Sequence, residues 1–312
     1  MVRRATLAGV PMAGLLLDRD FDPHHGRAVP VAPGVRRVTA PNAGPFTFAG
    51  TNTYIVGSGR VAVIDPGPAD ESHFQALMSA TTGETITHIC VSHAHRDHCG
   101  GAARLVAATG ARTYGFGRGR RTADAASAVD DETTTDFAPD APLADGAPTA
   151  GDGWQMQAIA TPGHTSDHLA FSLAGSDLLF SGDHVMAWST TVVAPPQGSM
   201  ADYMASLDRL LQRAEDTYLP GHGGPVTKAH DHVRALKAHR RARAAAILAF
   251  LKDGPASIPT IVAAVYRDLD PRLAGGAGLS VLAHLEELTA QGKVAADGPP
   301  GTSSIFRLMR RR

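Results

Sequence analysis

The residues best suited to chemistry lie in one short stretch, SHAHRDH at positions 92–98. It places His93, His95, Asp97 and His98 within six positions, directly after the apolar run 86–91. Side chains set so closely would compete for protons unless an electrophile held them. Imidazole nitrogen and carboxylate oxygen are donors that zinc takes in proteins. The stretch therefore predicts a metal site.

Further ligands must come from elsewhere, because a catalytic zinc needs about three protein ligands and an open position for water. Three later loops offer them: His164 lies in TPGHT, Asp183 in SGDH and His222 in PGHG. Each loop contains glycine, which lets the backbone and a ligand approach closely. We expect the fold to bring these three residues to the stretch 92–98.

The elements that must position these residues alternate between strand and helix patterns, which predicts a layered α/β body. Residues 35–65 have the pattern of antiparallel strands joined by tight turns. Helical spacing follows over 70–80, 101–109 and 203–211, and strands are predicted near 86–91, 156–160, 169–173 and 178–180.

The C-terminal part has a different pattern. A long Arg- and Ala-rich helix is predicted over 231–252, followed by amphipathic helices over 258–266 and 279–291 and short strands over 293–296 and 304–308. Helices followed by a small hairpin predict a winged-helix domain. Residues 228–312 carry a net charge of +7 and residues 1–227 a net charge of −8, so a polyanion partner and a solvated helix face both remain open.

The order HxHxDH, TPGHT, GD and GHG resembles the metallo-β-lactamase superfamily over about residues 35–235. This resemblance implies an α/β fold, the αββα sandwich, with an N-terminal extension at 1–34, a catalytic domain at 35–235 and a winged-helix-like domain at 236–312. It also implies two zinc ions, one held by His93, His95 and His164, the other by Asp97, His98 and His222, with Asp183 bridging them.

Further motifs resemble one particular group within this superfamily. GTNTY at 50–54, YMASL at 203–207, HRRAR at 239–243 and the winged helix resemble the metallo-β-lactamase-like endoribonuclease group, whose relatives cut single-stranded RNA. Glyoxalase II has a similar metal set but a different C-terminal domain. True β-lactamases lack the aspartate at the position of Asp97, which argues against penicillin hydrolysis.

Two enzyme functions therefore stay open: cleavage of single-stranded RNA, and hydrolysis of a thioester or ester of a small acyl substrate. Either would use a hydroxide shared by the two zinc ions, with Asp97 orienting it as the catalytic residue. A nucleic-acid-binding regulator with a vestigial metal site is a third possibility, against which the complete ligand set argues. For a polymeric substrate, we expect removal of residues 236–312 to weaken activity more than for a small one.

Several neighbours of these motifs have more than one interpretation. Asp65 is a candidate partner for a ligating histidine or a cap for the following turn. His168 and His184 could move a proton, but backbone hydrogen bonding is the commoner role. Arginines could bind phosphates without reading sequence, and histidines near the basic helix are interpreted as solvated. The arginines are Arg240, Arg241, Arg243, Arg310, Arg311 and Arg312, and the histidines are His230, His232 and His239.

Composition predicts a soluble globular protein, with 43% hydrophobic and 19% charged residues. Cys90 and Cys99 are the only cysteines, too few for a disulfide framework, so we expect a cytoplasmic location. No apolar run approaches the roughly 18 residues that cross a membrane, and no membrane partner is expected. The oligomeric state and the native metal are left open.

Overall fold

The computed structural model describes residues 14–117, 136–266 and 270–309. Its first sheet consists of Ala28–Ala32 (β1), Val35–Thr39 (β2), Asn52–Val56 (β3), Arg60–Ile64 (β4), Thr85–Cys90 (β5), Arg112–Gly115 (β6) and Ala141–Pro142 (β7), in that spatial order. Strands β1 to β4 pair antiparallel through tight turns, whereas β4 to β7 pair in parallel. Parallel neighbours need a crossover, and helices supply it after β4 and β5.

The second sheet consists of Pro148–Gly151 (β8), Trp154–Ala160 (β9), Leu169–Leu173 (β10), Leu178–Gly182 (β11), Thr217–Pro220 (β12) and Val226–Thr227 (β13). Its spatial order is β13-β12-β11-β10-β9-β8. Strands β11 and β12 are parallel, so the loops that follow them leave the same edge of the sheet.

The helices are Glu71–Ala80 (α1), Arg96–Cys99 (α2), Ala102–Thr109 (α3), Met200–Leu210 (α4), Ala229–Phe250 (α5), Ile258–Val265 (α6) and Ala274–Ala290 (α7). Side-chain caps begin α1 and α4: Asp70 accepts from the His73 amide and Ser199 from the Asp202 amide. Each cap satisfies a backbone donor that the first helical turn leaves without a partner.

Three buried cores give the catalytic body its layers. Apolar residues such as Phe171 and Phe180 pack between the two sheets. Leu77 of α1 and Leu105 of α3 cover the outer face of the first sheet, and α4 and α5 cover the outer face of the second. The predicted αββα sandwich is confirmed, since each sheet buries both faces and each helix buries one.

A fourth core holds the C-terminal part together. Helices α6 and α7 and the end of α5 enclose it with Ala256–Ser257 (β14), Val294–Ala296 (β15) and Ile305–Leu308 (β16), in the order β14-β16-β15. The predicted winged helix is confirmed, with β15 and β16 as its hairpin. Helix α5 belongs to two cores, because Val233 and Leu236 pack on the second sheet while Ile247 packs in the winged helix.

The division of the chain at 34 and 235 remains a proposal. Strand β1 lies inside the predicted extension 1–34 and pairs with β2. The boundary between 235 and 236 falls within helix α5. Of the helices that the structure describes, none is both long and apolar enough to cross a membrane.

Candidate metal centre

The predicted site residues meet at one edge of the sandwich, where parallel strands end. His93 follows β5, Asp183 follows β11 and His222 follows β12. Because β11 and β12 are parallel neighbours, Asp183 and His222 leave the sheet side by side. All of the predicted ligands are brought together there: His93, His95, Asp97, His98, His164, Asp183 and His222.

His93, His95 and His164 form what we name the three-histidine group, whose ligand atoms lie within 4.8 Å of one another. Nε2 of His93 lies 2.9 Å from Nδ1 of His95, and Nε2 of His164 lies 3.1 Å from the same atom. Three ring nitrogens from two separate parts of the chain thus lie close together.

Asp97, His98 and His222 form the Asp97 group, with ligand atoms equally close together. Oδ2 of Asp97 lies 3.3 Å from Nε2 of His98 and 3.4 Å from Nε2 of His222. Asp183 lies between the two groups: its carboxylate oxygens are 3.3 Å from His222 Nε2, 3.4 Å from His98 Nε2 and 3.7 Å from His164 Nε2. Asp183 therefore faces members of both groups.

The lack of hydrogen bonds at two of the donor atoms also fits a metal site. His98 Nε2 and Asp183 Oδ1 are buried 3.4 Å apart, and neither makes a hydrogen bond of ordinary geometry to any residue that the structure describes. A buried polar atom without a partner is costly, so these atoms need a cation or a solvent molecule at the point they face. Nitrogen and carboxylate oxygen donors suit zinc and related transition metals.

Electrostatics differ between the two groups. Burial and neighbouring imidazoles hold the pKa of His93 well below its ordinary value and lower the pKa of His95 to about 3, so both rings are neutral. Burial also disfavours charge on His98 and His222, but the nearby carboxylates outweigh it and raise the pKa of both. For Asp183, burial is outweighed by adjacent imidazoles, which hold its pKa well below the usual range. Neutral imidazole and ionised carboxylate are the ligating forms.

Asp65 fixes the orientation of His98, which settles the choice that the sequence left open. Its Oδ2 lies 2.9 Å from His98 Nδ1, so Nε2 of that ring faces the centre. Asp65 also accepts from the amide and the hydroxyl of Ser92. Because the Ser92 hydroxyl gives its single proton to Asp65, it accepts from Nδ1 of His93 at 2.9 Å, which leaves Nε2 of His93 as the ligand atom.

Two buried residues of the stretch 50–54 also position ligands, a role that the sequence analysis missed. Thr51 Oγ1 donates to Asp97 Oδ2 at 2.9 Å. The side-chain amide of Asn52 donates to the carbonyls of Pro220 and Gly223, on either side of His222. The available signal was the run Thr-Asn-Thr at the start of a strand, since polar side chains in a fully buried strand need specific partners.

Gly221 allows the loop before His222 to lie directly on the other ligands. A Cβ at this position would come within 2.5 Å of Asp183 Oδ1 and 2.6 Å of the His98 ring. Any side chain there would displace two ligands, so glycine is required by close approach rather than by turn geometry.

Neither His168 nor His184 is placed to exchange protons with a substrate. Nε2 of His168 accepts from the Asp183 amide at 3.1 Å, and its Nδ1 faces Thr161 Oγ1 at 2.8 Å. His184 is buried, its ring packs on Tyr203, and burial lowers its pKa to about 3. Backbone positioning therefore describes His168, as expected, and His184 is a core residue.

The basic helix is less solvated than its sequence suggests. Arg240 is 3% exposed and Arg243 half-buried, so of these arginines only Arg241 faces solvent. His239 is 4% exposed, so its interpretation as a solvated residue is wrong. The helix turns these side chains inward because α4 and α6 pack against it. The arginines at 310–312 lie outside the described residues.

Comparisons with known proteins agree with this geometry. The model of the Metallo-beta-lactamase superfamily matches residues 46–222. The chain belongs to this superfamily. The model of the Beta-lactamase associated winged helix domain matches residues 257–301. Members of the superfamily are hydrolases that typically bind metal ions, so the chain is an enzyme of this class.

Individual relatives match a large part of the chain. The Beta-lactamase-like protein 2 homolog of Drosophila melanogaster is 31% identical over 271 residues, which cover 83% of this chain and 89% of the relative. An Atrochrysone carboxyl ACP thioesterase of Claviceps purpurea is 28% identical over 70% of this chain and 65% of its own length. The crystal structure of a metallo-beta-lactamase family protein from Thermus thermophilus is 25% identical, with a TM-score of 0.75 over 90% of this chain and all of that chain.

Proposed function

We propose that this superfamily member is a dinuclear zinc hydrolase that cleaves the thioester or ester bond of a small acyl substrate. The observation that carries the proposal is the position of Asp183, whose carboxylate oxygens lie within 3.7 Å of ring nitrogens from both groups and which also forms a close set with His93 and His98. One zinc would be held by His93, His95 and His164 and the other by Asp97, His98 and His222, with Asp183 placed to contact both.

Asp97 is the ligand best placed to touch the substrate. Its side chain is 26% exposed, compared with 10% for Asp183 and 2% for His222. The Thr51 hydroxyl holds Oδ2, so the carboxylate keeps a fixed direction while it orients the attacking water and accepts its proton. When bound, two zinc ions bring the pKa of water close to 7 and act as Lewis acids on the substrate oxygen.

Apolar side chains around the ligand loops favour an acyl substrate. Trp188 lies against Gly223, next to His222, and stacks on Phe48 with ring centroids 4.9 Å apart. Phe46 is 49% exposed and lies, like Val192, against Gly276, and the Val192 carbonyl contacts His164. A hydrocarbon chain would gain by burial on such a surface. The name of the Claviceps purpurea relative, a thioesterase, supports the same substrate class.

Single-stranded RNA is the second candidate substrate. Exposed cations on the C-terminal part favour it: Arg241, Lys252, Arg272, Lys293 and Arg307 face solvent. The sequence resemblance to endoribonucleases supports it as well. It is disfavoured because Arg240 and Arg243 are turned inward, which removes two of the cations that would follow a phosphate backbone.

The test compares both substrates on one preparation. Zinc-loaded protein is assayed for thiol release from a glutathione thioester and a short acyl-coenzyme A thioester, and for cleavage of end-labelled single-stranded RNA. Thiol release that disappears in Asp97→Asn supports the proposal. RNA cleavage lost in the same variant, with thioesters untouched, would replace the acyl substrate by RNA. Retention of both activities in the variant would point to a contaminant.

A cytoplasmic location is proposed on the cysteine content. Cys90 and Cys99 are both buried and form no disulfide. A chain with two buried thiols is compatible with a reducing compartment. Fractionation of the source cells, followed by detection with an antibody to the purified protein, tests the location.

A further inference from the structure

A two-residue segment, Thr191-Val192, holds two of the proposed ligands from different loops. The Val192 carbonyl accepts from Nδ1 of His164 at 2.7 Å, which leaves Nε2 of that ring facing the centre. The Thr191 hydroxyl lies 2.7 Å from the carbonyl of Asp183 and 3.0 Å from that of His184. The segment therefore connects the three-histidine group to the bridging aspartate.

The segment is itself held from helix α5 by Arg240. The guanidinium of Arg240 donates to the Thr191 carbonyl. It also lies 5.2 Å from the ring centroid of Tyr203, whose hydroxyl donates to the His184 carbonyl at 3.1 Å. Arg240 therefore contacts two residues, Thr191 and Tyr203, whose hydroxyls both bond carbonyls of the loop that carries Asp183.

The surroundings of Arg240 show that this contact is its main polar interaction. The side chain is 3% exposed, and within the described ranges it forms no ion pair with a carboxylate. Burying a cation without a counter-charge is unfavourable unless carbonyl oxygens and aromatic faces replace water. A helix that only covered the sheet would be more stable with an apolar residue at this position.

We propose that Arg240 is a positioning residue of the metal centre, acting through Thr191 and Val192 on Asp183 and His164. The inference rests on the proposed dinuclear site. It adds that the geometry of that site is set partly from helix α5, the element that continues into the winged helix.

Arg243 is a matched control on the same helix. Its guanidinium donates to a backbone carbonyl, that of Val265, and lies 4.2 Å from the ring centroid of Tyr266. It therefore makes the same two kinds of contact as Arg240, but toward helix α6 instead of the metal centre. Loss of either guanidinium removes a buried cation and its hydrogen bond, and only one of the two leads to the ligands.

The experiment measures metal binding directly, with Co²⁺ as the probe. Arg240→Met and Arg243→Met are compared with the unmodified protein by thermal unfolding, by the visible absorption of bound Co²⁺ and by competition with a chelator. We expect both variants to unfold at lower temperature. Only Arg240→Met should bind Co²⁺ about 10- to 100-fold more weakly and show an altered absorption band, the usual effect of losing a contact that orients ligands.

A second variant keeps the test valid if Arg240→Met does not fold. Thr191→Val preserves side-chain volume and removes the hydroxyl that contacts the Asp183 loop, and about a tenfold loss of Co²⁺ affinity is expected. Native affinity and spectrum in Thr191→Val and in any folded Arg240 variant would overturn the inference while leaving the proposed function intact. An unmodified protein that bound no Co²⁺ at all would overturn both.

The contact also revises the expectation for truncation. Removal of residues 236–312 takes Arg240 away together with the winged helix. Activity on small substrates should then fall as strongly as activity on polymers, whichever substrate is native.

Discussion

The two ligand groups of the metal centre are supported in different ways. The Asp97 group is held by side chains of the sheets, with Asp65 on His98, Thr51 on Asp97 and Asn52 across the loop of His222. In the three-histidine group, His164 depends on a loop carbonyl that Arg240 braces from outside the sheets. One group is therefore built into the sandwich, whereas part of the other depends on the C-terminal helix.

The largest expected effect is the loss of turnover in Asp97→Asn, which leaves the residues that support the two ligand groups unchanged. Asp97→Asn keeps the size and hydrogen-bonding ability of the side chain but removes its charge. Turnover should fall by about 10² to 10⁴-fold, the usual contribution of a positioned acid or base. Steady-state rates and metal content of the purified variant are measured together. Undiminished turnover with native metal content would exclude Asp97 as the catalytic residue.

The second-largest effect should distinguish the zinc affinities of the two ligand groups. Asp65→Asn removes the charged acceptor from His98, so the ion held by the Asp97 group should bind about 10- to 100-fold more weakly, while the other ion, which Asp65 reaches only through Ser92, should lose less affinity. Calorimetric titration with zinc resolves the two affinities. Asp70→Asn is the control, since Asp70 also accepts from a backbone amide and a serine hydroxyl but caps α1. Equal weakening of both ions would contradict the separate supports.

A smaller effect is expected at Ser92, which contacts His93 directly and is linked to His98 through Asp65. Ser92→Ala removes the hydroxyl that joins Asp65 to His93. Both zinc affinities should fall by about tenfold, since each group loses one orienting contact but keeps its ligands. Ser172→Ala, which removes a buried serine hydroxyl from the Glu215 carboxylate away from the ligand loops, should leave both affinities unchanged. A loss confined to one ion would show that Ser92 serves that group alone.

The smallest expected effect concerns His73, which is linked to Asp65 through Thr53. His73 is 1% exposed and lies 2.8 Å from Thr53 Oγ1, which donates to the Asp65 carbonyl; burial lowers the pKa of His73 to about 4. The folded state keeps this ring neutral, while the unfolded chain protonates it below about pH 6.5. Its contribution is therefore complete at high pH and declines as pH falls from about 6.5 toward 4.

For a single such histidine, the free energy of unfolding should drop by about 0.7 kcal/mol between pH 7 and pH 6. Urea unfolding of the zinc-saturated protein and of His73→Gln is measured at both pH values. The free energy of unfolding should depend on pH more steeply in the unmodified protein, by this amount. Identical pH slopes in the two proteins would show that His73 titrates normally in the folded state.

The sequence indicated the residues that the structure brings together because their signal is local. Three imidazoles and a carboxylate within six positions would compete for protons without a metal, and the glycine loops carry the remaining ligands. The supports were harder to predict because each acts across the chain: Thr51 contacts a residue 46 positions away, and Arg240 contacts one 49 positions away. Nothing in the local pattern of an Arg-rich helix tells which arginine points inward.

The fold shows the same limit. Alternating strands and helices predicted the layers, and the αββα sandwich follows from burying both faces of each sheet. The extent of α5 was predicted to within about two residues at each end, but its membership of two cores was not. Amphipathic spacing shows that a helix has a buried face, but it does not show whether that face packs in one hydrophobic core or in two.

Helix α5 spans 22 residues, a rod about 33 Å long without an internal proline or glycine. A rod anchored in both cores offers no hinge. The winged helix is therefore expected to move as one body with the catalytic domain, without bending at helix α5. A winged helix taken from a relative would consequently have to be joined so that the helix stays continuous and keeps its register in both cores.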